Sequence, residues 1–282
     1  MLSHTVIETI VRAALEEDLG ATGFDATSEF VIPAQAQGQA LLRARQSGVL
    51  AGLIPALTAF SLIDGDMDMT IHAQDGDTLE AGQAIATIEG PARALLTAER
   101  TALNLLTHMS GIASLTARYV EEIKGTGATI CDTRKTLPGL RTLQKYAVRM
   151  GGGSNHRFGL GDAILIKDNH IALAGGSIGE ALDRAGLLAG HTLKIEIEVD
   201  TLEQLEDVLE HGGADIVMLD NMDVKTLVKA VKLVDGRMTT EASGGVSLDT
   251  VRAIAETGVD YISAGSLTHS APALDIGLDI EG

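Results

Sequence analysis

The sequence predicts an α/β protein with a hairpin-rich β domain first and a parallel (β/α) barrel second. Two observations carry this prediction. Up to about residue 110, short segments of alternating hydrophobicity are separated by turn dipeptides such as Asp75-Gly76 and Ala81-Gly82, which is typical of antiparallel hairpins. After Gly125, strand-like and helix-like segments alternate at least six times, and that rhythm is typical of βαβ units with parallel strands.

The first domain begins with an amphipathic helix in which Ile7, Val11 and Leu15 recur at helical spacing. Strand-like segments follow at residues 38–52 and 69–92, and the pattern "DGDTLEAGQAIATIEG" at 75–90 resembles a lipoyl or biotinyl carrier hairpin. However, no lysine lies between Arg45 and Lys124 to carry a prosthetic group. We therefore expect a sandwich-like structural domain here. It is followed by a long helix, predicted from a leucine-rich face near residues 95–112.

In the second domain, the predicted strands share a short apolar run that ends in polar residues: 128–133, 163–168, 193–200, 214–221, 239–245 and 259–265. Thr201 or Asp200 is the expected N-cap of the helix after the third strand, and Ser247 that of the helix after the fifth. A Rossmann sheet is the alternative. No strand is followed by Gly-x-Gly-x-x-Gly, and no P-loop motif occurs, so the barrel is favoured.

Composition limits the function classes. The formal net charge of −18 and an aromatic content of 2% without tryptophan argue against a nucleic-acid binder, which needs a basic face or stacking platforms. Cys131 is the single cysteine, so an intrachain disulfide is impossible. No apolar run reaches the length of a membrane span, and the first twenty residues lack the pattern of a secretory signal. We expect a cytoplasmic protein with no membrane or nucleic-acid partner.

One stretch contradicts the acidic character of the chain. Residues 131–170 hold seven of the 21 basic residues and three acidic ones. The basic residues are Arg134, Lys135, Arg141, Lys145, Arg149, Arg157 and Lys167. Arginine binds carboxylates bidentately and keeps its charge, so Arg134, Arg157, Lys167 and His156 together predict a site for a compact dianion. For the three at helical spacing, 141, 145 and 149, we expect a solvated face or ion pairs.

Polar residues end every predicted barrel strand, where such barrels place their chemistry. They are Asp132, Arg134, Lys135, Lys167, Asp168, Glu198, Asp220, Asn221, Glu241, Ser243-Gly244-Gly245 and Gly265-Ser266. The two small-residue loops, 243–245 and 265–266, predict a phosphate site at backbone N–H groups. Glu198 and Asp220 are a carboxylate pair that suits Mg²⁺, although a salt bridge to a nearby lysine or arginine is an equally simple role. Zinc is disfavoured because His156 and His170 lack a third soft ligand.

The residues alone leave two other function classes open. Lys167 at a strand end also fits a Schiff-base aldolase, but that activity would not explain the arginines and both glycine loops. A non-catalytic protein that binds dicarboxylates is the second possibility. Trapping with borohydride and a carbonyl substrate would test the aldolase, and the second class would bind a dicarboxylate without turning it over.

Several motifs together resemble those of the quinolinate phosphoribosyltransferase family, the decarboxylating nicotinate-nucleotide pyrophosphorylases of NAD biosynthesis. They are "AERTALNLLTHMSGIA", "DTRKTLPGLRTLQKYAV", "GGGSNHRFGLGDAILIKDNHI", "IEIEVD", "DIVMLDN", "EASGGV" and "GVDYISAGSLTHSAPALDIGLD". The resemblance covers residues 5–280 and implies an N-terminal α/β sandwich domain plus an incomplete (β/α) barrel with parallel strands. We expect domains at 1–112, joined by the tail 271–282, and at 113–270. A paralogue associated with molybdenum transport shares the fold but lacks the "KDNH" present here.

The resemblance also implies roles for individual residues. Lys167, Glu198 and Asp220 would be catalytic. The quinolinate pocket would be Arg134, His156, Arg157 and Lys167, with Arg100 entering from the partner of a homodimer, itself able to form a hexamer. The phosphoribosyl pyrophosphate site would be Lys135, Glu198, Asp220, Ser243, Gly244, Gly245, Gly265 and His269. Mg²⁺ would be the cofactor, held directly or through water by Glu198 and Asp220.

Overall fold

The computed structural model describes residues 2–281 and divides the chain into two compact units. The first unit contains the residues up to 117, residues 136–152 and the residues from 267 onward. The second contains residues 118–135 and 153–266. Within the part of the chain that the structure describes, no helix is long and apolar enough to cross a membrane.

The first unit is built on an antiparallel sheet with the strand order β12-β1-β5-β3. Its strands are β1 (Gln37–Ala44), β3 (Asp68–Ile71), β5 (Ala84–Pro91) and β12 (Ile276–Glu281). A small second sheet pairs β2 (Gly48–Val49) with β4 (Thr78–Leu79). The predicted antiparallel β domain is confirmed, but the expected hairpins are not: among the described residues of this unit, the strands that pair are never consecutive in the chain. Strand β12 adds the C-terminal segment to the edge of the sheet beside β1.

Helices pack the first unit around an apolar core. They are α1 (His4–Leu19), α2 (Ala26–Val31), α3 (Leu53–Ile63), α4 (Ala92–Glu122) and α5 (Arg141–Met150), with a 3₁₀ turn at Gly20–Thr22. The predicted first helix is confirmed, because Ile7, Val11 and Leu15 are its buried residues. The predicted face of α4 is also buried, and Leu106 and Ile112 are completely inaccessible.

Helix α5 corrects one expectation about the basic stretch. We expected the basic residues at 141, 145 and 149 to form a solvated face or ion pairs, yet Lys145 is only 3% exposed. The neighbouring positions are also polar: the fully buried Gln144 donates to the backbone oxygen of Thr268 at 2.9 Å, and the partly buried Tyr146 donates to Asp75 at 2.8 Å. The spacing of residues 141, 145 and 149 correctly predicted a helix, but that helix packs within the first unit on more than one side.

The second unit contains six parallel strands in the order β6-β11-β10-β9-β8-β7. They are β6 (Thr129–Cys131), β7 (Ile164–Ile166), β8 (Ile195–Val199), β9 (Ile216–Asp220), β10 (Thr239–Ser243) and β11 (Tyr261–Ser263). The end strands β6 and β7 are not sheet neighbours, although Ser154 forms an isolated bridge to Cys131 on β6. This is the incomplete barrel that the resemblance implied, and all six strands were predicted.

Helices follow the strands as the alternation predicted. They are α6 (Asp168–Leu173), α7 (Ile178–Leu188), α8 (Leu202–His211), α9 (Val224–Val234), α10 (Leu248–Ala255) and the short α11 (Ser266–His269). Of the two caps considered for α8, Thr201 is the one used, and its side chain accepts from the Gln204 amide at 3.2 Å. Ser247 is the N-cap of α10, as expected. These caps fix where each strand-end loop turns into a helix.

Candidate active site

A pocket of about 470 Å³ opens at the carboxyl ends of the barrel strands. Ten of the residues that the sequence predicts for substrate or metal binding line it. They are Arg134, Lys135, His156, Arg157, Lys167, Glu198, Asp220, Ser243, Gly244 and Gly245. Parallel strands explain this convergence, because their carboxyl ends meet on one side of a barrel. The pocket is therefore a single site assembled from at least four strand ends.

One side of the pocket is cationic. Arg134 and Arg157 are both partly buried, and the Arg157 Nη1 donates to the backbone oxygen of Ala163 at 3.0 Å. The pKa of Arg157 is lowered, first by burial and then by the positive charge of Arg134. The Arg157 Nε–H is buried without a hydrogen-bond partner. Two guanidinium groups that repel each other are stabilised when an anion binds between them.

His156 lies on the pocket wall with both ring nitrogens engaged inside the protein. Its Nδ1 accepts from the Arg157 amide at 2.8 Å, and its Nε2 lies 3.0 Å from a carboxylate oxygen of Glu196. The His156 amide donates to the buried Asp132 carboxylate at 2.9 Å. His156 is thus held rigidly in place, and a direct hydrogen bond from either nitrogen to a substrate would require one of these contacts to open.

The other side of the pocket is acidic. Lys167 donates to Glu198 at 2.6 Å, so the salt bridge considered as an alternative role for Glu198 is present. The pKa of Asp220 is raised, first by burial, then by the negative charges of Glu198 and Asp200, while Lys167 and Lys135 oppose the shift. A bound cation would offset the negative charges that raise the pKa of Asp220.

The loop after β10 is shaped for close approach of backbone to a ligand. Gly244 has φ +95°, and a Cβ there would lie 2.1 Å from the side-chain oxygen of Asn221. Asn221 itself has a positive φ of 53° and donates its backbone N–H to the oxygen of Ser243 at 2.9 Å. Only glycine fits at position 244, so Asn221 and the loop pack directly against each other.

Three predicted residues are not among those that line the pocket. Arg100 is exposed on α4, and His269 is exposed at the end of α11; both belong to the first unit. Gly265 lies in the second unit, two residues after the end of β11. The small-residue loop at 265–266 predicted Gly265, whereas Arg100 and His269 entered the site only through the family resemblance; the roles of all three stay predictions.

Two buried carboxylates near the pocket were given no role from the sequence. Glu196 and Glu241 are 3% and 5% exposed, and the side chain of Glu241 lines the pocket. Alternation along a strand would have found them, because residues two apart point to the same face. Glu196 precedes Glu198 by two positions on β8, and Glu241 precedes Ser243 by two positions on β10.

Comparison with known proteins agrees with this geometry over the whole chain. Residues 25–110 match the N-terminal domain model of quinolinate phosphoribosyl transferase, and residues 112–279 match its C-terminal domain model. A probable nicotinate-nucleotide pyrophosphorylase (carboxylating) of Bacillus subtilis is 46% identical over 279 residues, covering 99% of this chain and 95% of that protein. The nicotinate-nucleotide pyrophosphorylase (carboxylating) of Mycobacterium leprae is 48% identical over 275 residues, covering 96% and 95%.

Solved structures give the same result. The crystal structure of NadC from Streptococcus pyogenes superposes with a TM-score of 0.93 at 41% identity, covering all of this chain and 98% of that one. The nicotinate-nucleotide pyrophosphorylase of Francisella tularensis superposes with a TM-score of 0.93 at 37% identity. On the two domain models and these full-length similarities, the chain belongs to the quinolinate phosphoribosyl transferase family.

Proposed function

We propose that this protein transfers the phosphoribosyl group of 5-phosphoribosyl 1-pyrophosphate to quinolinate and removes the 2-carboxylate, giving nicotinate mononucleotide, CO₂ and pyrophosphate. This is a step of NAD biosynthesis, and both substrates are small molecules. The observation that carries the proposal is the division of one pocket into a cationic side and an acidic side. Each substrate matches one side in charge. The dianionic ring of quinolinate matches the cationic side, and the metal-bound pyrophosphate of the donor matches the acidic side.

Quinolinate binds on the cationic side. It is a rigid pyridine with two adjacent carboxylates, and Arg134, Arg157 and Lys167 match its charge. The lowered pKa of Arg157 and its unpartnered Nε–H support a role in binding an anion. His156 keeps Arg157 in position through the hydrogen bond between the Arg157 amide and its own Nδ1, and it forms part of the wall against which the ring packs.

The phosphoribosyl donor binds on the acidic side and along the glycine loop. Lys135 and the backbone of Ser243, Gly244 and Gly245 contact phosphate oxygens, with Gly265 and His269 nearby. Glu198 and Asp220 fit Mg²⁺, which prefers one or two carboxylates together with phosphate oxygens, and the raised pKa of Asp220 is the property that a dication would relieve. When bound, Mg²⁺ supplies positive charge to the departing pyrophosphate.

The chain's own residues then support two chemical steps. In the first, the ring nitrogen attacks C1 of the ribose, and the carboxylates of Glu198 and Asp220 stabilise the positive charge that develops there. In the second, the ring has become a pyridinium, so the electron pair left by CO₂ at C2 lies beside a positive nitrogen. Lys167, which already balances Glu198 at 2.6 Å, stabilises charge beside the departing carboxylate.

The decisive test is pyrophosphate release in a coupled assay that contains quinolinate, the donor and Mg²⁺. We expect turnover with quinolinate and very little with nicotinate, because losing a charge-assisted contact costs about 1.5–3 kcal/mol. Comparable turnover of the two acids would contradict the proposed recognition of both carboxylates. Absence of pyrophosphate release with either acid would leave a Schiff-base or a purely binding function to be tested.

We also propose a cytoplasmic homodimer, able to assemble further into a hexamer, in which Arg100 serves the partner's pocket. Arg100 is exposed on α4, as a residue that acts outside its own chain must be. The test mixes inactive Arg100→Ala with inactive Lys167→Ala under conditions that permit subunit exchange. A mixed dimer has one site with both changes and one with neither, so activity should partly return. If verified exchange restores nothing, Arg100 acts within its own chain.

A further inference from the structure

Beneath the pocket, His156 and two carboxylates of the second unit form a buried cluster, and the proposed function has given no role to the two carboxylates. The Nε2 of His156 lies 3.0 Å from Glu196 and 3.7 Å from Glu241, and one oxygen from each carboxylate lies with that nitrogen inside 4.8 Å. The Oε1 atoms of Glu196 and Glu241 are buried without a hydrogen-bond partner. A buried carboxylate oxygen without a donor is costly to keep ionised, so this cluster calls for a proton or a cation.

The hydrogen bonds indicate where the protons reside. Because the Nδ1 of His156 accepts from the Arg157 amide, that nitrogen carries no proton, and the imidazole proton is on Nε2, directed at Glu196. Glu241 is then the carboxyl of the pair that receives no proton from His156. Its pKa is raised to about 7, first by burial and then by the charge of Glu196; His156 and a hydrogen bond with Ser263 oppose the shift, and Asp132 adds to it. Near neutral pH, Glu241 therefore holds a proton that it can release.

Glu241 also stands between two cavities. It lines the substrate pocket at the carboxyl ends of the strands and a second cavity of about 330 Å³ at their amino ends, next to Lys194 and Thr239. Glu196 lines the second cavity as well, but it is not among the residues that line the substrate pocket. Of the two buried carboxyls, Glu241 is thus the one that reaches the substrate side while keeping a route to water on the far side.

The proposed reaction consumes one proton. When the C2–carboxylate bond breaks, CO₂ leaves and the electron pair stays on C2; a new C2–H bond must form to give the product. Other groups on the pocket wall are poor sources of that proton: the arginines do not release theirs, and Lys167 is ion-paired with Glu198 at 2.6 Å. Solvent on the substrate side is displaced by the substrates themselves.

We infer that Glu241 is the acid that protonates C2 after CO₂ leaves, and that water in the second cavity restores its proton between turnovers. Glu196 and His156 act as positioning residues that fix the orientation of Glu241. This inference rests on the proposed function, since it assigns the proton of the second chemical step.

The test is a single-turnover experiment on Glu241→Gln with quinolinate labelled in its 2-carboxyl group. Pyrophosphate release should stay within about threefold of the unsubstituted protein, because the first step needs no proton. Release of labelled CO₂ should slow by about a hundredfold or more, the contribution expected of a general acid, because an unprotonated carbanion recaptures CO₂. The N-ribosylated dicarboxylate should accumulate in quenched samples. Equal slowing of both steps, or no slowing of either, would overturn the inference.

A pH profile separates acid catalysis from a structural effect. In the unsubstituted protein the decarboxylation step should slow as the pH rises through about 7, since the deprotonated carboxylate cannot donate. Glu241→Gln should lose that dependence, whereas Glu241→Asp, which retains an acid, should keep it and recover part of the rate. Glu256→Gln removes an exposed carboxylate in the same unit and should match the unsubstituted protein. A pH dependence that survives in Glu241→Gln would contradict the inference.

Two further outcomes are informative. If the unsubstituted protein releases no pyrophosphate with quinolinate and the donor, the proposed function fails, and the assignment of Glu241 falls with it for that separate reason. A bound metal ion is the other way to neutralise the cluster, and metal analysis of dialysed protein tests for it. Stoichiometric metal that is lost in Glu241→Gln would show that the carboxylate is a ligand, not an acid, and would overturn the inference; its absence from the active protein supports the acid.

Discussion

The barrel contains two carboxylate pairs at different depths, and their surroundings differ. Glu198 and Asp220 lie at the carboxyl ends of β8 and β9, where Lys167 balances Glu198 directly and Lys135 opposes the raised pKa of Asp220. Glu196 and Glu241 lie deeper, and the Nε2 of His156 lies 3.0 Å from the first and 3.7 Å from the second. The shallower pair has lysines beside both carboxylates and access to phosphate oxygens, so it suits a metal ion. The deeper pair is balanced only in part, by His156 and by the charge of Arg157 on Glu196, so a proton on Glu241 is the simplest way to neutralise the rest.

This comparison shows that depth in the barrel, more than residue type, decides what a carboxylate does. Two positions along β8 separate Glu196 from Glu198, and the same chemical group changes from buried to partly accessible over that distance. Burial disfavours the charged form of an acid, and at Glu241 it is the first cause of a pKa raised to about 7, which makes that group a proton carrier near neutral pH. The following experiments substitute one residue of the shallower pair, then an arginine on the cationic side of the pocket, then Glu241 of the deeper pair, and last the glycines beside the shallower pair.

The largest effect is expected from the shallower pair. Asp220→Asn removes one of the two charges proposed to hold Mg²⁺, so turnover should fall by about 10²–10³-fold, and calorimetry should show loss of Mg²⁺-dependent donor binding. Quinolinate binding should be nearly unchanged, because Asp220 lies on the opposite side of the pocket. The control is Asp200→Asn, which removes a nearby exposed charge outside the pocket. If Asp220→Asn weakened quinolinate and spared the donor, the two sides would have been assigned in reverse.

Substitution on the cationic side should give the complementary result. Arg134→Ala removes one of two neighbouring guanidinium groups, and loss of a charge-assisted contact of about 1.5–3 kcal/mol corresponds to roughly 10–150-fold weaker quinolinate binding. Donor binding measured by calorimetry should be preserved. Arg149→Ala, an exposed arginine on α5, provides a matched control. Equal loss of both ligands would indicate that Arg134 supports the fold of the pocket and does not select between substrates.

How well a site residue could be predicted from the sequence also depends on its depth in the barrel. Residues at strand ends were found because a polar residue that interrupts an apolar run is visible in the sequence, and eight of them meet in one pocket with His156 and Arg157 of the basic stretch. Glu241 was among these strand-end residues but was given no role, and Glu196 was missed because a glutamate inside a strand looks like an outward-facing residue when the barrel register is unknown. The solvated position expected for Lys145 was wrong for a related reason: helical spacing gives the face of a residue, but not what packs against that face.

The fold itself was predictable because its signals are local. Turn dipeptides, caps such as Thr201 and Ser247, and the alternation of strand and helix each act over a few residues. The edge position of β12 beside β1 joins segments more than 230 residues apart, as their register Gln39–Glu281 shows, and only the family resemblance suggested it. The same limit applies to Arg100, whose proposed site lies on another copy of the chain.

The raised pKa of Glu241 should also make the unfolding free energy of the protein depend on pH. The pKa of Glu241 is raised from 4.5 to about 7 in the folded protein. A group with a raised folded pKa contributes stability that is complete below its unfolded pKa and is lost as the pH rises through its folded pKa, here between about 4.5 and 7. Each unit of difference corresponds to about 1.4 kcal/mol.

The unfolding free energy of the protein should therefore decrease between pH 5 and pH 8, and that of Glu241→Gln should decrease less. Urea unfolding at several pH values measures both. Asp279 provides a contrast, since hydrogen bonds from Arg45 hold its pKa below the ordinary value, so Asp279→Asn should not flatten this pH range. If Glu241→Gln and the unsubstituted protein lose stability in parallel, Glu241 is already ionised at pH 5, and the contrast between the two pairs disappears.

The smallest effects should come from the backbone beside the shallower pair. Gly244 and Gly245 both have positive φ, of 95° and 61°, so alanine at either position introduces backbone strain of about 1–3 kcal/mol. The two positions differ in the room around them: an alanine Cβ at 244 would lie 2.1 Å from the Asn221 side chain, while at 245 it would meet nothing within 4 Å.

Because Asn221 donates to Asp220 at 2.6 Å, a shift of Asn221 disturbs the proposed metal site. Gly244→Ala should therefore weaken Mg²⁺-dependent donor binding more than Gly245→Ala does, and it should also be the less thermally stable of the two variants, because its Cβ has no room beside Asn221. Donor titrations at saturating Mg²⁺ measure this difference, and equal affinities would mean that Asn221 does not transmit the loop's position to Asp220.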